Sequence, residues 1–113
     1  MDKIIKESGS EREMKKIGVD PAGIKIMKEK SVFKLVKLCG IKPALANIIK
    51  ESMLSAGGDA ALHKLACACK VESTDILLMG TIKQYRHLLQ NLDYQPFGGK
   101  EASRRISRLL KLF

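Results

Sequence analysis

The clearest pattern of hydrophobic and polar positions lies in residues 73–98, where an apolar run is followed at once by an amphipathic segment. Residues 76–79 read Ile-Leu-Leu-Met and end at Gly80. Such a run predicts a strand inside a sheet, covered on both faces. Behind it, apolar side chains recur at three- and four-residue spacing, which predicts a helix that packs through one stripe: Ile82, Tyr85, Leu88, Leu89 and Leu92.

The junction between these two elements carries a helix-start signal. Thr81 and Gln84 match a capping box, in which each side chain satisfies a backbone amide of the first turn. The helix therefore begins directly after the strand. The sequence Gln-Pro-Phe-Gly at 95–98 ends it, because proline and glycine interrupt a helix.

A second strand–helix pair precedes this one. Residues 32–38 are rich in β-favouring side chains and predict a strand that ends at Gly40. Pro43 and the glycine pair at 57–58 then bracket a helix of about fourteen residues. Its core face is predicted to contain Leu45, Ile48, Ile49 and Met53. Residues 59–71 are predicted to contain the next strand or a hairpin, with residues 59–62 and 65–70 as the two candidate segments. Strand, helix and strand together predict a βαβ crossover.

The two ends of the chain are predicted to be helical. Residues 10–17 carry a capping-box pattern at Ser10 and Glu13 and end at Gly18. Residues 20–23 read Asp-Pro-Ala-Gly and predict a turn, and residues 1–9 are expected to be flexible. Residues 100–112 predict an amphipathic helix with one apolar side: Ala102, Ile106, Leu109, Leu110 and Phe113.

These elements predict an α+β fold, a two-layer sandwich with an open sheet of three or four strands and helices mainly on one face. The length of 113 residues suits a single domain over residues 10–113. No apolar stretch has the roughly 18 to 20 residues that cross a bilayer, and no signal peptide is expected. The three cysteines do not form a disulfide framework, which favours a cytoplasmic location.

The net charge of +9 is unevenly distributed. Residues 99–113 hold five basic residues against one acid, whereas residues 1–98 hold sixteen against eleven. A local cluster of this kind raises the potential near anions. It allows nucleic-acid binding, although no nucleic-acid-binding motif is present and aromatic content is only 4%. Binding to a membrane surface is a second alternative for a basic amphipathic helix. The preferred interpretation is a helix that packs its apolar side onto its own domain or a partner and keeps its charges in solvent. The cluster consists of Lys100, Arg104, Arg105, Arg108 and Lys111.

Several blocks of the chain resemble a known family. They read GVDPAGIKIM at 18–27, LANIIKESMLSAGGDAA at 45–61, TDILLMGTIKQYRHL at 74–88 and QPFG at 95–98. In this order and spacing they resemble the amino-terminal extension that precedes the catalytic barrel of some bacterial and archaeal dihydropteroate synthases. The resemblance covers about residues 10–112 and implies a folate- or pterin-pathway context. Synthase activity is not implied, since that family's catalytic barrel of about 250 residues has no counterpart here.

The first functional hypothesis is therefore a non-catalytic accessory or interaction domain without a cofactor, which binds a dihydropteroate synthase barrel or a second copy of itself. The second is a domain that binds a small anion or a pterin at the strand–helix corner, since open α/β sheets bind ligands at the carboxyl ends of their strands. A purely structural role for the same residues is the simpler interpretation. The candidate ligand residues are Asp75, Gly80, Thr81, Gln84, Tyr85, Gln95 and Phe97.

A metal or thiol site is a weaker hypothesis. His63, Cys67 and Cys69 would share one face of a strand, but a closed zinc site needs a fourth ligand, for which Cys39 or His87 would have to approach. The preferred interpretation is that the cysteines belong to an apolar strand face as buried, inert thiols. No metal and no catalytic residue is predicted.

Overall fold

The computed structural model describes residues 1–112, so Phe113, predicted on the apolar side of the last helix, lies outside the described residues. Within them the α+β class is confirmed. Single turns of 3₁₀ helix occur at Glu7–Gly9, Lys28–Lys30 and Ala66–Ala68. The main elements, in chain order, are α1 (Ser10–Ile17), α2 (Pro21–Met27), β1 (Phe33–Ile41), α3 (Pro43–Ser55), β2 (Asp59–Ala61), β3 (Thr74–Thr81), α4 (Ile82–Leu92) and α5 (Gly99–Leu110).

The three strands of the described chain form one sheet in the order β1-β3-β2. Both β1 and β2 pair antiparallel with β3, and Leu78 lies opposite Val36 on one side and Ala60 on the other. Strands β1 and β2 are consequently parallel to each other and are joined through α3. The predicted βαβ unit is thus present in a split form, with β3 inserted between its two strands.

One face of the sheet is packed against α3, α4 and α5. Tyr85, Leu88 and Leu92 of α4 and Ile106 of α5 have no exposed surface, as expected from the apolar stripe of α4. Leu109 departs from the predicted apolar side of α5, because its side chain is 60% exposed. The strands and α3 contribute the remaining large buried side chains, which are Val36, Leu38, Ile41, Ile49, Met53, Ile76 and Leu78.

No element within residues 1–112 covers the other face of the sheet, and the prediction that β3 is covered on both faces is wrong. Buried and exposed residues alternate along β3, with Leu77 37% exposed between buried Ile76 and Leu78. The strand is interior only in its hydrogen bonding, because it pairs along both edges. Residues 76–79 form an apolar run because β3 carries apolar side chains on both of its faces, and those on one face are in contact with solvent. We call this solvent-facing side of the sheet the open face, and its residues are Phe33, Leu35, Lys37, Ala61, Leu77 and Met79.

The strand–helix junction and the helix ends follow the sequence closely. The amide of Thr81 donates to Oε1 of Gln84 at 2.8 Å, and the amide of Gln84 donates to Oγ1 of Thr81 at 3.3 Å, which confirms the capping box. Gly18 ends α1 with a φ of 88° and Gly57 follows α3 with a φ of 97°, a backbone conformation that favours glycine.

Two local predictions near the amino terminus are wrong. Ser10 does not cap α1, because Gly9 is the N-cap residue and Oγ of Ser10 accepts instead from Oγ of Ser31 at 2.7 Å. Residues 20–23 do not form an isolated turn: Asp20 accepts from the amide of Ala22 at 2.8 Å and caps α2. Pro21 fits either structure because its fixed φ suits the first position of a helix as well as a turn.

Of the two candidate strands after α3, residues 59–61 form β2 and residues 65–70 do not form a strand. The chain turns there because the amide of Cys69 donates to the carbonyl of Ala66 at 2.9 Å, and Cys69 has a φ of 54°. Asn47 of α3 donates from its side chain to the same carbonyl at 3.0 Å. This tertiary hydrogen bond has no signature in the local sequence.

Residues 1–6 have no regular secondary structure and are exposed. The segment that follows is attached to the sheet, since Oε2 of Glu7 accepts from the amide of Phe33 at 2.9 Å. The expected flexibility of residues 1–9 stays a prediction.

Candidate functional site

The seven candidate ligand residues are divided between two ends of the sheet and helix layer. Gly80, Thr81 and Gln84 lie together where β3 passes into α4. Asp75 lies five residues before Gly80 on β3, which is about 16 Å along an extended strand. Its Oδ1 accepts a hydrogen bond from the amide of Gly40 at 3.1 Å. The structure therefore does not bring the seven into one site.

The polar groups of the corner are already satisfied by the fold. Thr81 and Gln84 bond each other's amides. Gly80 is closely packed, because a Cβ there would overlap the terminal methyl group of Met53, which would have to move, and would lie 3.0 Å from Oε1 of Gln84. Gly58 is similarly enclosed, with its Cβ position 2.6 Å from the carbonyl of Met79. These residues have a complete structural role without a ligand.

Beside the corner lies a shallow depression of about 300 Å³. Its lining includes three basic or titratable side chains and no acid, which gives it a cationic character. The lining residues are Lys30, Ala56, Thr81, Lys83, Gln84 and His87.

Tyr85 is fully buried and faces the sheet. Its hydroxyl donates to the carbonyl of Lys34 at 2.8 Å. Burial of the phenol disfavours its charged form and raises the pKa of Tyr85 to about 12. A ligand at the surface has no access to this hydroxyl, so Tyr85 serves the packing of α4.

Gln95 and Phe97 lie in the connection between α4 and α5, beyond the far end of α4 from Thr81. Phe97 is 88% exposed and has a φ of 62°, and Gly98 continues the left-handed turn with a φ of 101°. Gly99 then fits against the carbonyl of Leu92, where a Cβ would overlap it. The Gln-Pro-Phe-Gly sequence thus reverses the chain between two helices and leaves its aromatic ring in solvent.

The open face was missed by the sequence analysis as a candidate site. Leu35 is 63% exposed and Phe33 47% exposed, and the register places Leu35 beside Met79 and Lys37 beside Leu77. The sequence signal for the open face is that β1 does not alternate strictly between apolar and polar residues: apolar side chains occupy positions that face the core and also positions that face solvent. Lys37 forms an exposed ion pair at the rim, with its Nζ 3.9 Å from Oδ2 of Asp75.

The basic cluster of the carboxyl-terminal helix is divided by the geometry of α5. Lys100, Arg104, Arg108 and Lys111 are exposed and follow each other at three- and four-residue spacing, so they form one stripe. Arg105 leaves this stripe: its Nη2 donates to the carbonyl of Cys39 at 3.2 Å and connects α5 to β1. Nucleic-acid binding through the stripe stays a prediction.

The cysteines are not arranged as the sequence analysis expected. All three are exposed, so the prediction of buried thiols in an apolar strand face is wrong. Nδ1 of His63 accepts from the amide of Leu65 at 3.0 Å. Among residues 1–112, no group of three or more His, Cys, Asp and Glu side chains could hold a metal ion.

Comparison with known proteins finds no matching family model, no matching curated protein and no matching solved structure. The resemblance to the dihydropteroate synthase extension stays a prediction. None of the helices in the described part of the chain combines the length and the apolar character needed to cross a membrane.

Proposed function

We propose that this chain is a non-catalytic protein-binding domain of the dihydropteroate synthase system, and that its open face contacts the partner. The observation that carries the proposal is the one-sided sheet. Helices cover one face, while the other presents Leu35 and Phe33 with about half or more of each side chain in solvent.

The composition of the open face suits a protein contact. Antiparallel sheets commonly expose one face to water, but that face is then usually polar. Here Leu77, at the centre of the sheet, is flanked by Lys37 on β1 and Ala61 on β2. Neighbouring exposed apolar side chains with charged groups at their rim are typical of interaction sites.

The non-catalytic part of the proposal is supported by the structural contacts that the candidate residues already make. Thr81 and Gln84 bond each other's amides, and Tyr85 is buried. Burial raises the pKa of Tyr85 to about 12, so its phenol stays protonated within the core. The partner is proposed from the resemblance, in which this domain precedes a synthase barrel.

The proposal is tested by measuring binding of this chain to a dihydropteroate synthase barrel from the same source, by calorimetry. We expect Leu77→Lys to weaken binding at least tenfold, since it places a charge in the centre of an apolar contact. Leu54→Lys is the matched control, because Leu54 is 49% exposed on α3 and lies off the sheet. Absence of binding by the unmodified chain, or equal loss in the two variants, contradicts the proposal.

A second candidate function is the binding of a small anion or a pterin at the corner. The depression bordered by Lys30, Lys83 and His87 favours it. Titration with inorganic phosphate and with a pterin, followed by amide chemical shifts, is expected to move Lys83 and Thr81 if this candidate is right. Unchanged shifts at both residues eliminate it.

A further inference from the structure

The outer edge of β1 has unpaired backbone groups at its centre. The amide of Ile82 donates to the carbonyl of Val32 at 3.0 Å, which places the pair Phe33 and Thr81 at a non-hydrogen-bonded position of the ladder. Hydrogen-bonded and non-hydrogen-bonded pairs alternate in antiparallel sheets. The N–H and C=O groups of Leu35 and Lys37 therefore point away from β3, and no partner in the described residues bonds them.

Both ends of this edge are occupied by side chains. Glu7 accepts from the amide of Phe33 at 2.9 Å, and Arg105 donates to the carbonyl of Cys39 at 3.2 Å. The two contacts confirm that the backbone N–H and C=O groups of the odd-numbered residues of β1 point away from β3. They also limit the free edge to the backbone groups between Phe33 and Cys39, enough for one short added strand.

A groove of about 430 Å³ runs beside this free edge. The edge strand forms one wall and the end of α5 forms the other. Leu35 and Leu109 are 63% and 60% exposed and give the groove its apolar part. A free strand edge facing a helix across a groove is the arrangement by which domains bind an extended peptide as an additional strand. The lining residues are Lys34, Leu35, Val36, Lys37, Leu109, Leu110 and Lys111.

The charge of the groove defines the occupant. Three of its lining residues are lysines and none is acidic. Two copies paired through β1 would bring these lysines together in molecules that each carry a net charge of +9, and like charges on paired strands repel. An acidic segment finds complementary charges on both walls.

Nucleic acid is a poorer fit than a peptide. The outward carbonyls of Leu35 and Lys37 accept hydrogen bonds and repel phosphate oxygens, whereas an extended peptide supplies a donor for each of them. The leucines of the groove also have no counterpart in a phosphate backbone.

We propose that the groove between β1 and α5 binds an extended acidic peptide segment of another protein, which pairs antiparallel or parallel with β1 at Leu35 and Lys37. An apolar side chain of the peptide contacts Leu35 on the open side of the sheet, and its carboxylates lie on the helix side beside Lys34 and Lys111. The groove shares Leu35 and Lys37 with the open face but does not include Leu77, and the added strand would pair with the backbone edge of β1 instead of lying on the face of the sheet.

The test uses the full chain labelled with ¹⁵N and a synthetic peptide of alternating valine and glutamate. We expect amide shifts at Leu35 and Lys37, together with slower hydrogen exchange of both amides. Two matched peptides separate the contributions. Replacing glutamate by lysine is expected to abolish binding, and N-methylation of the amides that face β1 is expected to weaken it at least tenfold at unchanged charge.

Variants of the chain complete the test. Lys34→Glu and Lys111→Glu are each expected to weaken peptide binding about tenfold. Lys70→Glu, at an exposed residue outside the groove, is the matched control and is expected to retain it. Three outcomes overturn the proposal: no shift at Leu35 and Lys37 up to the solubility limit of the peptide, equal binding of the N-methylated peptide, or binding of a single-stranded DNA oligonucleotide at these amides in place of the peptide.

Discussion

The hydroxyl of Tyr85 donates a 2.8 Å hydrogen bond to the carbonyl of Lys34, and so ties α4 to the edge strand β1. Tyr85 is fully buried, whereas the second tyrosine, Tyr94, is 87% exposed. The contact crosses from the helical layer to the strand whose outer edge and open face carry the two proposed binding sites. The hydrogen bond between Tyr85 and Lys34 therefore helps to hold β1, and with it both proposed binding sites, in position against α4.

Removal of this hydroxyl tests the contact. Tyr85→Phe is expected to lower the free energy of unfolding by about 1–2 kcal/mol, because the ring still fills its place while one buried hydrogen bond is lost. Urea denaturation followed by circular dichroism measures the change. Tyr94→Phe is the matched control and is expected to change stability by less than about 0.5 kcal/mol. Equal effects of the two substitutions contradict the assignment.

The raised pKa of Tyr85 predicts a loss of stability at alkaline pH. Its pKa in the fold is about 12 against 10.0 for the ordinary phenol. Between these values the folded chain keeps the proton and the unfolded chain loses it, so stability falls as pH rises from 10.0 to about 12. Below this window the proton on Tyr85 makes no difference to stability.

Since the chain has two tyrosines, Tyr94→Phe leaves Tyr85 as the only one to follow. Its tyrosinate absorbance is expected to appear with a midpoint near 12, together with unfolding. The part of the alkaline stability loss that Tyr85 causes should be absent in Tyr85→Phe. A midpoint near the ordinary value in the folded chain contradicts the burial of this side chain.

Gly80→Ala is expected to destabilise the domain by about 1–3 kcal/mol, as overpacking does in other cores. The added methyl group would overlap the end of Met53. Gly23→Ala is the matched control: its Cβ finds its nearest neighbours at 3.4 and 3.5 Å, and alanine favours the helix by up to about 1 kcal/mol. Thermal unfolding measures both.

A double variant separates packing from other causes. If Gly80 is required because of Met53, the cost of Gly80→Ala is smaller in a Met53→Ala background, and the two substitutions are not additive. Strict additivity shows that the glycine is needed for a reason other than this contact.

The ion pair between Glu29 and Arg86 attaches the amino-terminal helices to α4. Nε of Arg86 lies 2.8 Å from both carboxylate oxygens of Glu29. Because both side chains are partly exposed, we expect a coupling energy below about 1 kcal/mol that decreases with added salt. A double-mutant cycle with Glu29→Gln and Arg86→Met measures it. A larger coupling that is insensitive to salt contradicts the exposed geometry.

The sequence predicts those elements best whose signals are complete within a few residues. The pair Thr81 and Gln84 is such a signal, as are Pro43 and Gly57 at the two ends of α3, and each has the predicted structure. Pro21 shows the limit of local reasoning, since its φ suits two structures and only the capping contact of Asp20 selects the helix.

Features that depend on distant residues were not predicted. The conformation of residues 66–69 depends in part on Asn47 of α3, and the exposure of Leu77 depends on which face of the sheet the helices cover. The seven candidate ligand residues do not lie together for the same reason. Asp75 and Gly80 are near in sequence, but an extended strand separates them.

Amide hydrogen exchange along β1 tests the account most directly, because both proposals rest on the sheet order in which β1 is an edge strand that pairs with β3 along one side, and the peptide proposal also requires its outer edge to be free. We predict strict alternation, with slow exchange at Lys34, Val36 and Leu38 and fast exchange at Leu35 and Lys37. Protection of Leu35 and Lys37 equal to that of Val36 and Leu38, in the chain without a partner, would contradict this account.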